Sequence, residues 1–98
     1  MLEIRLLKSA QTELDEAFQY YEKQVPGLGA EFLDHILAVF KRIKLNPEAW
    51  PVFSRRSRRC LANQFPFGVI YQIRRDEILI IAIAHQHRKP EYWKTRIE

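Results

Sequence analysis

The sequence predicts an α+β fold in which an N-terminal strand precedes an antiparallel helix hairpin and then a three-stranded antiparallel meander. Two observations carry this. Hydrophobic periodicity changes from two to the helical spacing and back to strand-like runs, and Pro26-Gly27 and Asn46-Pro47 stand at the changes. The length of 98 residues suits one domain spanning 1–98. With 47% apolar and 12% aromatic residues, the chain has the means to fill a core.

Leu2, Ile4 and Leu6 alternate with Glu3 and Arg5, the pattern of a half-buried strand. Ser9 offers a hydroxyl cap for a first helix running to about Gln24, with Ala10, Leu14, Ala17, Phe18 and Tyr21 on one face. Pro26 and Gly27 break it. In a second helix Phe32, Leu33, Ile36, Leu37, Phe40 and Ile43 make a broad apolar stripe, and Asn46-Pro47 stops it. So short a turn between amphipathic helices predicts an antiparallel pair. After Trp50, Pro51 and Phe53, strands are expected at Arg58–Leu61, Phe67–Arg74 and Ile78–His85, with a loop at Asn63–Pro66 and a tight connection at Arg75–Glu77. The last strand is apolar on both faces and belongs inside the sheet, joined by the N-terminal strand. The expected core contains Phe32, Ile36, Phe40, Val69, Tyr71, Ile81 and Ile83, with Leu14 and Phe18 beneath the helix hairpin.

Charge is divided unevenly. The chain has a net charge of +4, but residues 1–48 hold six Lys/Arg against eight Asp/Glu, whereas residues 49–98 hold ten against four. The second half is therefore the one expected to meet an anionic partner, although a charge run also reads as a solvated face. A lone Cys60 excludes an internal disulfide and fits a reducing, cytoplasmic setting. Met1–Lys8 lacks the basic start and apolar run of a secretory signal, and no stretch approaches the roughly 20 apolar residues of a membrane span.

Several phrases, in order, carry a family likeness. Phe18-Gln19-Tyr20-Tyr21-Glu22 leads into Pro26-Gly27-Leu28-Gly29, and Asn46-Pro47 closes the second helix. Phe65-Pro66-Phe67-Gly68-Val69-Ile70-Tyr71 leads into Ile80-Ile81-Ala82-Ile83-Ala84-His85, and Arg88-Lys89-Pro90-Glu91-Tyr92-Trp93 ends the run. The chain thus resembles the RelE/ParE superfamily of toxins from type II toxin–antitoxin systems, most closely the ParE-like, plasmid-stabilisation kind. The resemblance implies a β-α-α-β-β-β fold and a cognate antitoxin as partner. It also implies one of two targets: DNA gyrase, blocked by binding, or the ribosome with its mRNA, cleaved by an mRNA interferase. An inactive, partner-binding descendant is a third reading, so whether the chain is an enzyme stays open here.

The candidate residues lie in the basic half. If RNA is cut, Arg59, His87, Arg88 and Tyr92 are the residues able to supply a base, an acid and cationic stabilisation. A target- or antitoxin-binding surface would draw on Arg58, Arg59, Arg74, His85, His87, Arg88 and Trp93. Alternation places Arg58 and Arg59 on opposite sheet faces. Structural readings stand beside these: His85 as a hydrogen-bonded residue closing a strand, and Tyr92 and Trp93 folding the tail over the core. His35 reads as a packed or hydrogen-bonded helix residue. No cofactor is expected, and no metal site, because His85 and His87 lack a third ligand at convincing spacing. The missing carboxylate–histidine pair, and the absence of the Lys/Arg-rich tail ending in tyrosine that marks RelE, tilt the expectation toward gyrase.

Overall fold

A computed structural model describes residues 1–97. Strand β1 (Glu3–Leu6) leads directly into α1 (Lys8–Gln24), and α2 (Leu28–Leu45) returns beside it. A short 3-10 turn (Pro47–Ala49) precedes β2 (Val52–Ser54), β3 (Ser57–Leu61), β4 (Phe67–Ile73) and β5 (Glu77–His85), and a second 3-10 turn spans Lys94–Ile97. The five strands form one sheet in the order β1-β5-β4-β3-β2.

The topology corrects one expectation and supplies a direction that the sequence left open. The helix pair is followed by four strands, because Val52–Ser54 pairs with β3 across a two-residue turn. β1 lies parallel to β5, with Ile4 opposite Ile78 and Leu6 opposite Ile80. The parallel pairing follows from the extra strand. Each antiparallel strand reverses the chain, so three strands after the helices would return the last one antiparallel to β1, and a fourth makes it parallel. The hairpin was hidden because its turn residues, Arg55 and Arg56, have φ of 52° and 60°. Such a turn ordinarily announces itself with Asn-Gly.

The helix hairpin is built by the residues between its helices. Gly27 has a φ of 91°, where a side chain is strained. Glu22, near the end of α1, accepts the amide protons of Gly27 and Gly29 at 2.9 and 3.0 Å, and so caps the first turn of α2. Gly29 sits where an added Cβ would stand 2.7 Å from the Phe18 carbonyl oxygen, so its lack of a side chain sets how closely the helices approach. Ser9 lies inside α1 and makes no cap bond; Leu7 holds the N-cap position. The buried stripe of α2 is Phe32, Ile36, Val39 and Ile43. Phe40 and Leu33 flank it half-buried, and Leu37 is exposed, so the helix is turned slightly from the expected face. Phe18 is likewise only half-buried.

The sheet is apolar on both sides. Val69, Tyr71, Ile78, Ile80 and Ile83 pack under the helices, with Tyr21, Phe32, Phe65 and Phe67 forming an aromatic cluster of ring separations between 5.0 and 6.2 Å. Tyr71 donates its hydroxyl to the Pro47 carbonyl at 2.6 Å, and burial pushes its pKa up to about 12 against an opposing pull from Arg58. The opposite face buries Ile70, Leu79, Ile81 and Ala82 under Trp93, with Tyr92 and Ile97 packed around them. Ile81 and Ile83 therefore serve different cores, despite lying two residues apart. A register shift between Ile70 and Tyr71 leaves Ile81 without an opposite number and exchanges the faces of β5 beyond it.

A candidate binding cleft on the free face of the sheet

β5 runs beyond β1, whose pairing ends where the Leu7 amide meets the Ile80 carbonyl at 3.0 Å. Two side chains continue the ladder. The Glu13 carboxylate on α1 accepts from the Ile83 amide at 3.0 Å, and the Arg96 guanidinium donates to the Ile81 carbonyl at 2.9 Å. The same two groups pair with each other through two bonds of 2.9 Å, and the Tyr92 hydroxyl donates to Glu13 at 2.6 Å. Helix, strand end and C-terminal tail are thereby tied at one carboxylate. Burial, then the hydrogen bond to Glu13 and its charge, hold the Tyr92 phenol well above the usual tyrosine range.

With the tail fixed, a cleft of about 440 Å³ opens between it and the β2–β3 hairpin. Gly68, Ile70 and Ala84 form its floor. Arg59 and Leu61 lie across Gly68, where a Cβ would stand 3.1–3.2 Å from their side chains. Arg59 also stacks on Phe53, 5.4 Å from the ring centre, and Phe53 meets Trp93 edge-on at 5.9 Å. From the tail, the Arg88 guanidinium lies 3.8 Å over the Tyr92 ring and 3.9 Å from Glu13. Lys89 and His85 complete a basic lining. The Ser54 hydroxyl donates to Glu91 and ties the two walls. Phe53 and Leu61 remain about half exposed at the mouth, at 47% and 48%. The cleft thus offers guanidinium forks above and apolar surface below.

The structure brings together some of the sequence candidates and separates others. Arg59, His85, Arg88, Tyr92 and Trp93 line the cleft. His87 is exposed beside it, its amide donating to His85 Nδ1 at 3.0 Å, which leaves the His85 ring proton on Nε2. Arg58 points to the helix side, holding the Trp50 and Glu48 carbonyls at 2.7 and 3.2 Å. Arg74 stands at the other end of the sheet, on Gln72 Oε1 at 2.8 Å. Trp93 is buried at 3% exposure, the tail-folding role anticipated for it. His35 bonds the Glu31 carbonyl through Nδ1 and packs on Phe65. Among the described residues, no group of three or more His, Cys, Asp or Glu is placed to hold a metal ion. No helix among them is long and apolar enough to cross a membrane.

Sequence reasoning missed Glu13, Arg96, Phe53 and Lys89. A signal existed for Glu13: it follows Ala10 by three residues and precedes Ala17 by four, which puts a carboxylate on the buried face of α1.

A two-helix layer on one face of a mixed five-stranded sheet, with a basic, aromatic-walled cleft on the other, defines a small α+β protein. The chain belongs to the ParE toxin family: the family model described as ParE toxin of the type II toxin–antitoxin system parDE matches residues 4–90. Among solved structures it is similar to a chain of the chromosomal ParDE TA system from P. aeruginosa, with a TM-score of 0.76 and 19% identity over 87% of this chain and 96% of that one. At that identity the likeness concerns the fold. No curated protein matches.

Proposed function

We propose that this protein is a cytoplasmic toxin that inhibits DNA gyrase by binding, and that a cognate antitoxin neutralises it by occupying the same cleft. The observation that carries the reading is that the cleft sets cationic clamps beside exposed apolar side chains, while Nδ1 of its one imidazole, His85, is taken up by the His87 amide and its carboxylate, Glu91, by the Ser54 hydroxyl. Arg59 and Arg88 are cationic clamps on aromatic rings. The tyrosine beside them has its hydroxyl committed to Glu13, and its ionisation is suppressed. His87, the other candidate for proton transfer, lies outside the cleft lining. A general acid or base must reach the proton it moves, so these positions disfavour RNA cleavage and leave a binding surface. Exposed Phe53 and Leu61 beside the arginines suit a protein partner with mixed acidic and apolar side chains.

The alternative, a ribosome-dependent mRNA interferase, draws on Arg59, Arg88 and Tyr92 sharing one cleft. One experiment separates the two. Purified protein is supplied to gyrase with relaxed plasmid and, in parallel, to translating ribosomes with end-labelled message. Loss of supercoiling with intact message is the expected result. Codon-associated cuts at substoichiometric toxin, with supercoiling unaffected, would reverse the assignment.

A further inference from the structure

The solvent side of α2 is not the polar stripe that an exposed helix face ordinarily presents. Ala30, Asp34, Leu37, Ala38, Lys41 and Leu45 are all exposed, and their spacing of four, three, one, three and four puts them on one face. Four of the six are apolar, and the two leucines are 49% and 64% exposed. The two charges lack counterparts within the helix. Asp34 has no basic residue, and Lys41 no acidic one, three or four positions away. Neither side chain joins an ion pair or a hydrogen bond with another described residue. They stand two turns apart, roughly 10 Å along the axis, too far to pair with each other. The helix dipole acts on the first and last turns, and both charges lie between those.

This face is complementary to itself when run in the opposite direction. About a two-fold axis between Leu37 and Ala38, an antiparallel copy of α2 sets Ala30 against Leu45, Asp34 against Lys41 and Leu37 against Ala38, and symmetry makes each pairing twice. Every small side chain then meets a large one and every acid a base, which lets two helices approach to about 8–10 Å with the space between them filled. We infer that α2 pairs with α2 of a second copy of this chain, forming a symmetric dimer through the helix layers. The helices cover one face of the sheet and the cleft lies on the other, so both clefts stay open on the outer sides of the dimer. The contact is a small one. A helix face about 22 Å long falls short of the roughly 800 Å² per partner of a standard interface, so the dimer should have a Kd on the order of 10–100 µM.

Sedimentation velocity on the full chain from about 1 to about 500 µM spans that range and provides the test. Wild type should pass from monomer to dimer and no further, because a two-fold contact closes on itself. Asp34→Lys alone, or Lys41→Asp alone, sets like charges opposite each other twice and should raise the dimer Kd by about tenfold or more. An equimolar mixture of these two variants restores acid against base, as does the double variant Asp34→Lys/Lys41→Asp, and both should dimerise as wild type does. Both positions are exposed, so circular dichroism melts of all the variants should stay close to wild type. Arg59→Ala/Arg88→Ala, in the cleft, should leave the dimer unchanged. The inference is overturned if wild type stays monomeric to the top of the range, which would leave this face to a different chain. It is equally overturned if either charge reversal dimerises as wild type, if neither the mixture nor the double variant recovers, or if the cleft variant abolishes the dimer.

Discussion

Replacing Glu13 by alanine removes one carboxylate from four partners, and its cost can be worked from the geometry. Glu13 is 12% exposed and Arg96 20%, so the pair is largely but not wholly withdrawn from water. Truncation leaves the Ile83 amide and the Tyr92 hydroxyl without an acceptor, at roughly 1–3 kcal/mol for each unsatisfied group. Arg96 keeps the Ile81 carbonyl and can turn toward solvent, which discounts its share. The expected loss is about 3–5 kcal/mol, the range for breaking a buried pair by removing one partner. For a chain of this size that lowers the melting temperature by roughly 15–30 °C. Circular dichroism melts and urea titration measure it, and amide exchange at Ile83 should quicken. A double-mutant cycle of Glu13→Ala with Arg96→Ala should give a coupling of about 1–3 kcal/mol. A Glu13→Ala melt within a few degrees of wild type, or no coupling in the cycle, would refute the idea that this carboxylate holds the tail.

Gly29→Ala should destabilise by about 1–3 kcal/mol, because its Cβ meets the Phe18 carbonyl at 2.7 Å and the helices must separate; chemical denaturation reads the difference. Ile81→Ala should lose roughly 2–5 kcal/mol, since the side chain is fully buried beneath Trp93, and an unchanged melt would place Ile81 on the wrong face. Stability should also fall at alkaline pH. Tyr71 holds its proton in the folded state up to about pH 12, whereas an unfolded tyrosine releases it near pH 10. Between those values the unfolded chain binds fewer protons, so stability falls as pH rises, by on the order of 2–3 kcal/mol from Tyr71 alone. Urea midpoints at pH 9 and pH 11.5 test the sign, and Tyr71→Phe should flatten the dependence.

The helices were legible because their breakers and their apolar spacing agree, and β4 and β5 were legible because long β-branched runs suit an interior strand. What stayed hidden has physical causes. The β2–β3 turn uses Arg-Arg in a conformation normally marked by Asn-Gly, so Val52–Ser54 did not read as a strand, and without it the parallel direction of β5 relative to β1 could not be read. Ile81 and Ile83 are both buried as expected, but strict alternation would put them on one face, and a single unpaired residue in the ladder separates them. Alternation did separate Arg58 from Arg59 correctly: Arg58 holds backbone carbonyls on the helix side and Arg59 lies in the cleft. The cleft joins residues from 53 to 93, and its fixing point, Glu13 with Arg96, spans 83 positions of sequence. No local pattern reports a juxtaposition of that range.

The claim that the cleft acts by binding rather than by catalysis is tested most directly by titrating gyrase supercoiling with wild-type protein and with Arg59→Ala, Arg88→Ala and the double variant. Inhibition by wild type should saturate near stoichiometric toxin. Each single variant should shift the titration by about tenfold and the double variant further, as expected when charge-assisted contacts to a partner are lost one at a time. Inhibition that ignores both arginines, or no inhibition by wild type while ribosome-bound message is cut at substoichiometric toxin, would contradict the account.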